Sequence, residues 1–180
     1  TNQNMIGSDV IPTERTTPES FEVQKLFREM ADAGCTHVVM ETSSHALYLD
    51  RVYGVRYDVG IFTNLTQDHL DFHKTMENYC DAKAILFRNC VTGVVNADDP
   101  WTPRLLKDAD CKVMTYAEQA DADLRAENIV LSAGGIAFDA VSGAERVPIR
   151  VNIPGGFMVY NTLDVLGAAL ALGISLEESA

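Results

Sequence analysis

Residues 63–73, TNLTQDHLDFH, gather Asp68, His69, Asp71 and His73 directly after an apolar run. Side chains four apart on a helix share a face, so His69 and His73 could grip one cation between them. The same spacing also suits a helix start with one imidazole buried. Two other stretches are as rich in reactive side chains: Glu41-Thr42-Ser43-Ser44-His45 and Asn96-Ala97-Asp98-Asp99. Singly, each reads as a helix cap or a solvated loop. All three follow apolar runs, and together they point to one rim of carboxylates, hydroxyls and imidazoles beyond the strand ends. A zinc hydrolase built on His69, His73 and Asp68 is an alternative, but no H-E-x-x-H arrangement supplies its general base.

The elements that must carry these residues can be read from periodicity and punctuation. Thr16 lies three before Glu19 and Pro18 takes a first-turn position, which predicts a helix over 18–33 ended by Gly34. THVVME (36–41) reads as a short buried strand with Glu41 at its end, and DVGIFTNL (58–65) as a second strand that delivers the His69 stretch. MENYCDAKAILFRNC predicts a helix, TGVVNA a third strand, PWTPRLLKDA a helix and CKVMTY a fourth strand. Alternating strands and helices imply an α/β fold, a mostly parallel sheet flanked by helices with right-handed crossovers, whose ligands sit beyond the carboxyl ends of the strands. From about 124 to 153, short β runs broken by Gly-Gly and Ser-Gly predict an antiparallel subregion. FMVYNTLDVLGAALALG then reads as a buried helix ending at Gly173.

Composition narrows the classes. The 180 residues, 47% hydrophobic, fit one domain with a real core. A net charge of −12 with no Lys/Arg cluster argues against a nucleic-acid or anionic-membrane surface. No apolar run approaches the roughly 20 residues of a membrane span. Four separated cysteines without a C-x-x-C pair read as reduced thiols of a cytoplasmic protein. The chain opens on Thr1 rather than Met, and Ser175 and Glu178 form a capping box just before the end; both suggest excision from a longer protein.

Taken in order, ERTTPES, METSSHAL, FTNLTQDHLDFH, DAKAILF, NADDP and GGFMVYN resemble the central ATP-binding domain of the Mur ligases. The resemblance is greatest to members that add the third, diamino-acid residue to UDP-N-acetylmuramoyl-L-alanyl-D-glutamate in peptidoglycan synthesis. It implies a P-loop-like domain over residues 1–180, ATP as substrate and Mg2+ as cofactor, with the reaction passing through an acyl phosphate. The implied partners are the UDP-muramoyl dipeptide, ATP and a diamino acid; a monomer is the expectation, though the sequence does not fix the oligomeric state. By resemblance, Glu41 and His69 bind the cations, and Lys83 is carbamylated by carbon dioxide to give a third ligand. These three form the catalytic set, and His73 is structural or supports the ligand residues. Thr16, Thr17, Ser43 and Arg51 contact the muramyl dipeptide, and Asn96, Asp98, Asp99 and Asn161 the nucleotide. Two positions depart from the family's pattern, Leu49 for a Gln and Met158 for an Asn. The family's G-x-x-G-K-[ST] loop is absent, and the resemblance places it upstream of Thr1, with the amino-acid pocket in a domain after Ala180. Isolated, such a stretch is expected to be inactive. Folylpolyglutamate synthases and other Mur ligases share this domain and are the alternative reading.

Overall fold

The computed structural model describes residues 3–180; Thr1 and Asn2, where the expected domain begins, lie outside the described residues. The chain divides into two compact units, Thr1–Val55 with His69–Ile85, and Arg56–Asp68 with Leu86–Ala180.

The first unit opens with a hairpin that the sequence pattern did not announce, β1 (Gln3–Ile6) against β2 (Asp9–Pro12), with Gly7 at φ 60° in the turn. Helices α1 (Ser20–Asp32), α2 (Ser44–Tyr48), α3 (Leu70–His73) and α4 (Met76–Ala84) follow. The capping box of α1 lies three residues later than predicted, at Glu19 and Glu22 rather than Thr16 and Glu19. Glu19 is the N-cap and its N–H donates to the Glu22 carboxylate at 3.2 Å. A larger correction concerns residues 36–41. They form no strand: no neighbour completes a ladder with them among the described residues, and Val39 is 98% exposed.

The second unit is built on one mixed sheet in the order β3 (Tyr57–Phe62), β4 (Cys90–Asn96), β5 (Lys112–Ala117), β6 (Leu124–Ser132), β7 (Gly135–Ser142) and β8 (Glu145–Val151). β3, β4, β5 and the start of β6 run parallel, and β6, β7 and β8 are antiparallel. The predicted antiparallel subregion is therefore an extension of the parallel sheet, joined to it through Tyr116–Leu124 and Ala117–Arg125. The predicted 100–109 helix contracts to α5 (Thr102–Leu105), and the helix over 76–90 ends at Ala84 in a 3-10 turn, Ile85–Arg88, that leads into β4.

Helix α6 (Phe157–Ala171) closes the core. Val159, Leu163, Leu166 and Gly167 recur at i, i+4, i+7 and i+8, so one stripe faces the sheet, where it meets Val94, Leu124, Ile136 and Phe138. Gly167 is required by closeness: a Cβ there would lie 2.7 Å from Cγ1 of Val94. Beyond α6 the Ser175–Glu178 box is made, with the Ser175 hydroxyl donating to the Glu178 carboxylate at 2.8 Å, but it caps a short turn over buried Leu176.

Candidate functional site

In the first unit, Thr17 is the hub of a polar cluster. Its side chain is 1% exposed, donates to the Glu41 carbonyl at 2.8 Å and accepts the Ser43 N–H at 3.0 Å. This bridge sets the chain entering α2, whose N-cap is Ser43; the Ser43 hydroxyl accepts the Ala46 N–H at 3.1 Å. Arg51 closes the cluster, with Nη1 donating to the Thr17 carbonyl at 3.5 Å and Nε 3.3 Å from the Glu19 carboxylate. Thr17, Glu41, Ser43 and Arg51, distant in sequence, are thus brought together, with half-buried Thr16 adjoining Thr17. The Arg51 Nε is buried and has no hydrogen-bond partner, and the half-exposed Glu19 carboxylate near it also pairs with Arg15 at 2.9 Å.

The His69 stretch answers the question of the paired histidines. His69 is the N-cap of α3 in left-handed conformation, φ 53°, and is exposed. His73 is 4% exposed, its Nε2 lies 2.9 Å from the Ser44 hydroxyl, and its ring stacks on Tyr79 with centroids 5.1 Å apart. Burial, reinforced by His45, His69 and Lys83, lowers the His73 pKa and outweighs Asp71, so this imidazole is neutral near pH 7. The ring of His45 contacts both His69 and His73, at 4.9 and 5.3 Å. Lys83 Nζ lies over the Tyr79 ring, 5.2 Å from its centroid. The two histidines therefore divide their roles, His73 in the core and His69 at the surface. No group of three or more His, Cys, Asp or Glu side chains arranged to hold a metal occurs among the described residues.

In the second unit, Asn96, Asp98 and Asp99 gather at the end of β4. Asn96 donates to the Thr63 carbonyl at 2.9 Å and accepts the Asp98 N–H at 2.9 Å. Asp99 accepts the Leu65 and Trp101 amides, each at 2.8 Å. Asp98 accepts the amides of Glu118, Gln119 and Ala120 at 2.7 to 3.0 Å and the Tyr160 hydroxyl at 3.0 Å. Burial opposes its ionisation, but the Gln119, Glu118 and Ala120 amides and the Tyr160 hydroxyl hold the carboxyl below its usual range. The NADD segment thus ties together the ends of β3, β4 and β5. Asn161 is exposed on α6 and reaches the Met158 sulfur at 3.9 Å. Tyr160 and Tyr79 were not singled out by sequence reasoning, and Ser44 was named only as part of its stretch. A tyrosine beside a motif asparagine gives no signal of the carboxylate it will meet, and Tyr79 reads as an ordinary core residue.

Comparison with known proteins places this arrangement. The model of the Mur ligase middle domain matches residues 1–169. The chain belongs to the Mur ligase family. Among curated relatives, a UDP-N-acetylmuramoyl-L-alanyl-D-glutamate–2,6-diaminopimelate ligase of Clostridium botulinum is 50% identical over 97% of this chain and 36% of its own length. One from Geobacter sulfurreducens is 43% identical over 95% of this chain and 35% of its own length. A solved structure of a diaminopimelate ligase superposes with a TM-score of 0.86 at 29% identity, covering 95% of this chain and 37% of its own. The chain thus spans about a third of the length of the relatives it matches.

As a Mur ligase middle domain, the chain accommodates its two departures simply. Leu49 is the C-cap of α2 and is exposed, while Met158 uses its sulfur to contact Asn161. Of the residues that the resemblance gives to a cation, Glu41 and His69 are exposed and Lys83 is half-buried over Tyr79; a carboxylate and one imidazole are donors that magnesium could use, with water and phosphate oxygens for the rest.

Proposed function

We propose that this Mur ligase middle domain serves an ATP-dependent ligase that joins 2,6-diaminopimelate to UDP-N-acetylmuramoyl-L-alanyl-D-glutamate. The observation that carries this reading is the similarity along nearly the whole chain, at up to 50% identity, to proteins named for that reaction. The Thr17 cluster supports it. Activating a carboxylate with ATP brings two anions together, so the acceptor must be fixed and its charge met. Arg51 supplies a guanidinium fork for the dipeptide's carboxylate, while Thr16, Thr17 and Ser43 orient the peptide through hydroxyl and amide contacts.

Glu41 and His69 hold the cation, joined by Lys83 once its amine has taken up carbon dioxide. When bound, magnesium offsets phosphate charge as the γ-phosphoryl group moves to the substrate carboxylate. Asn96, Asp98 and Asp99 serve the nucleotide by fixing the loops at the end of β4, with exposed Asn161 beside Tyr160 offering its amide to the base. In this reading Asp98 is a positioning residue, since its oxygens already receive backbone amides. The protein is soluble, works in the cytoplasm and acts as a monomer on small-molecule substrates, without nucleic acid or membrane.

The test is phosphate release and product mass for the protein at the relatives' length, supplied with ATP, magnesium, the UDP-linked dipeptide and either diaminopimelate or lysine. Turnover with diaminopimelate at least tenfold above lysine is the expected result. Turnover with a folate acceptor, or with no dependence on the UDP-linked dipeptide, would overturn the assignment.

A further inference from the structure

Four cysteines separated in sequence suggest isolated thiols, yet the fold of the second unit brings two of them together. Cys90 begins β4, and Cys111 stands one residue before the Thr92–Lys112 pair that joins β4 to β5. Gly60 on β3 and Gly93 on β4 are directly paired. A Cβ built on Gly60 would lie 3.1 Å from the Cys90 sulfur, and one on Gly93 would lie 3.1 Å from the Cys111 sulfur. Both sulfurs therefore occupy the hollow over one glycine rung of the sheet, beside Leu86 and Phe87. The two thiols are close enough to interact electrostatically. Regular pleating would send residues offset by one on neighbouring strands to opposite faces, but Cys111 lies just outside β5 and its sulfur reaches the Gly93 face, with the strands about 4.8 Å apart.

We propose that Cys90 and Cys111 are a site of reversible oxidation, closing to a disulfide when the chain meets a peroxide. Access decides the order of events. Cys111 is half-buried, whereas Cys90 is 3% exposed and its burial, with Cys111 beside it, pushes its thiol up to about 12. Cys111 is thus the thiol that a small oxidant reaches first. Its sulfur attacks one peroxide oxygen, the O–O bond breaks, and Cys111 becomes a sulfenic acid with release of water. The Cys90 sulfur then attacks the Cys111 sulfur, the S–O bond breaks, and the departing hydroxide takes the Cys90 proton as a second water. Two thiols lose two electrons, one peroxide gains them, and a thiol reductant reverses the step. The bond braces β4 to β5 at the end of β4 opposite Asn96.

The test is to expose the folded 180-residue chain to hydrogen peroxide, block remaining thiols with an alkylating reagent after denaturation, and map the peptides by mass. The expected product is a linked Cys90–Cys111 peptide pair, lighter by about 2 Da than the two thiols and released by dithiothreitol. Cys35, equally half-buried, and Cys80 should alkylate as before. A Cys111→Ser variant should give no linked pair, and a Cys90→Ser variant should leave Cys111 as a sulfenic acid captured by a dimedone reagent. Full alkylation of both Cys90 and Cys111 after peroxide, or linkage to Cys35, Cys80 or a second molecule instead, would overturn the proposal. The peptide map of the parent chain decides this even if a variant fails to fold.

Discussion

Lys83 carries the sharpest residue-scale prediction. Its amine lies against Tyr79, in a unit where only Glu41 among the proposed cation-binding residues offers a carboxylate. If a carbamate on Lys83 supplies the missing oxygens, Lys83→Ala should lower ligation in the protein at the relatives' length by two orders of magnitude or more, and millimolar short carboxylic acids should restore part of it. Unchanged activity in that variant would refute the role. Asp164 carries another. It is 5% exposed on α6, its Oδ1 has no hydrogen-bond partner, and burial pushes its pKa up to about 6 despite the Tyr116 hydroxyl nearby. An acid whose folded pKa is raised holds its proton more tightly when folded, so its contribution is intact below the unfolded pKa near 4 and is lost as pH rises through about 6. Asp164→Asn should therefore gain stability over the parent progressively across that window, by up to about 3 kcal/mol at pH 7. Denaturant melts of both chains at pH 4 and pH 7 would check it, and a pH-independent difference would count against it.

At the scale of elements, the glycines separate tight packing from mere turning. Gly135 enters β7 at φ 143°, and a Cβ there would stand 2.1 Å from the Val151 carbonyl oxygen. Gly143, in the turn between β7 and β8, has φ 58° but open space around it. Gly135→Ala should cost about 3 kcal/mol or more by forcing β7 and β8 apart, while Gly143→Ala should cost only about 1 to 2 kcal/mol of backbone strain. Equal shifts in melting midpoint would contradict this account. The same elements show what the sequence could and could not disclose. The strands of the second unit and α6 were legible because their apolar runs and punctuation follow from the one core that they share. The 36–41 segment misled because an apolar run signals a preference for burial, whereas a strand exists only where a neighbour completes its hydrogen bonds. The Thr17 cluster was suggested only by resemblance. Its closure depends on a threonine meeting a carbonyl 24 residues away, which no local pattern records.

The whole molecule carries a net charge of −12, and the ligation proposed for it joins anions. Such a field repels nucleotide and acceptor alike, so binding depends on local positive groups rather than on the overall potential. In the proposed function Arg51 answers for the acceptor side. For the triphosphate, no G-x-x-x-x-G-K-[ST] sequence occurs among the 180 residues, and with it are missing the backbone amides and lysine that would cradle the β- and γ-phosphates. Phosphoryl transfer depends almost wholly on such positioning and charge stabilisation. We therefore expect these 180 residues, expressed alone, to unfold cooperatively as ordered protein yet to release no phosphate from ATP above the blank, with or without magnesium and the UDP-linked dipeptide. The protein at the relatives' length should release phosphate under the same conditions. Turnover by the 180 residues alone would mean that groups within them, other than a phosphate loop, hold the nucleotide for reaction.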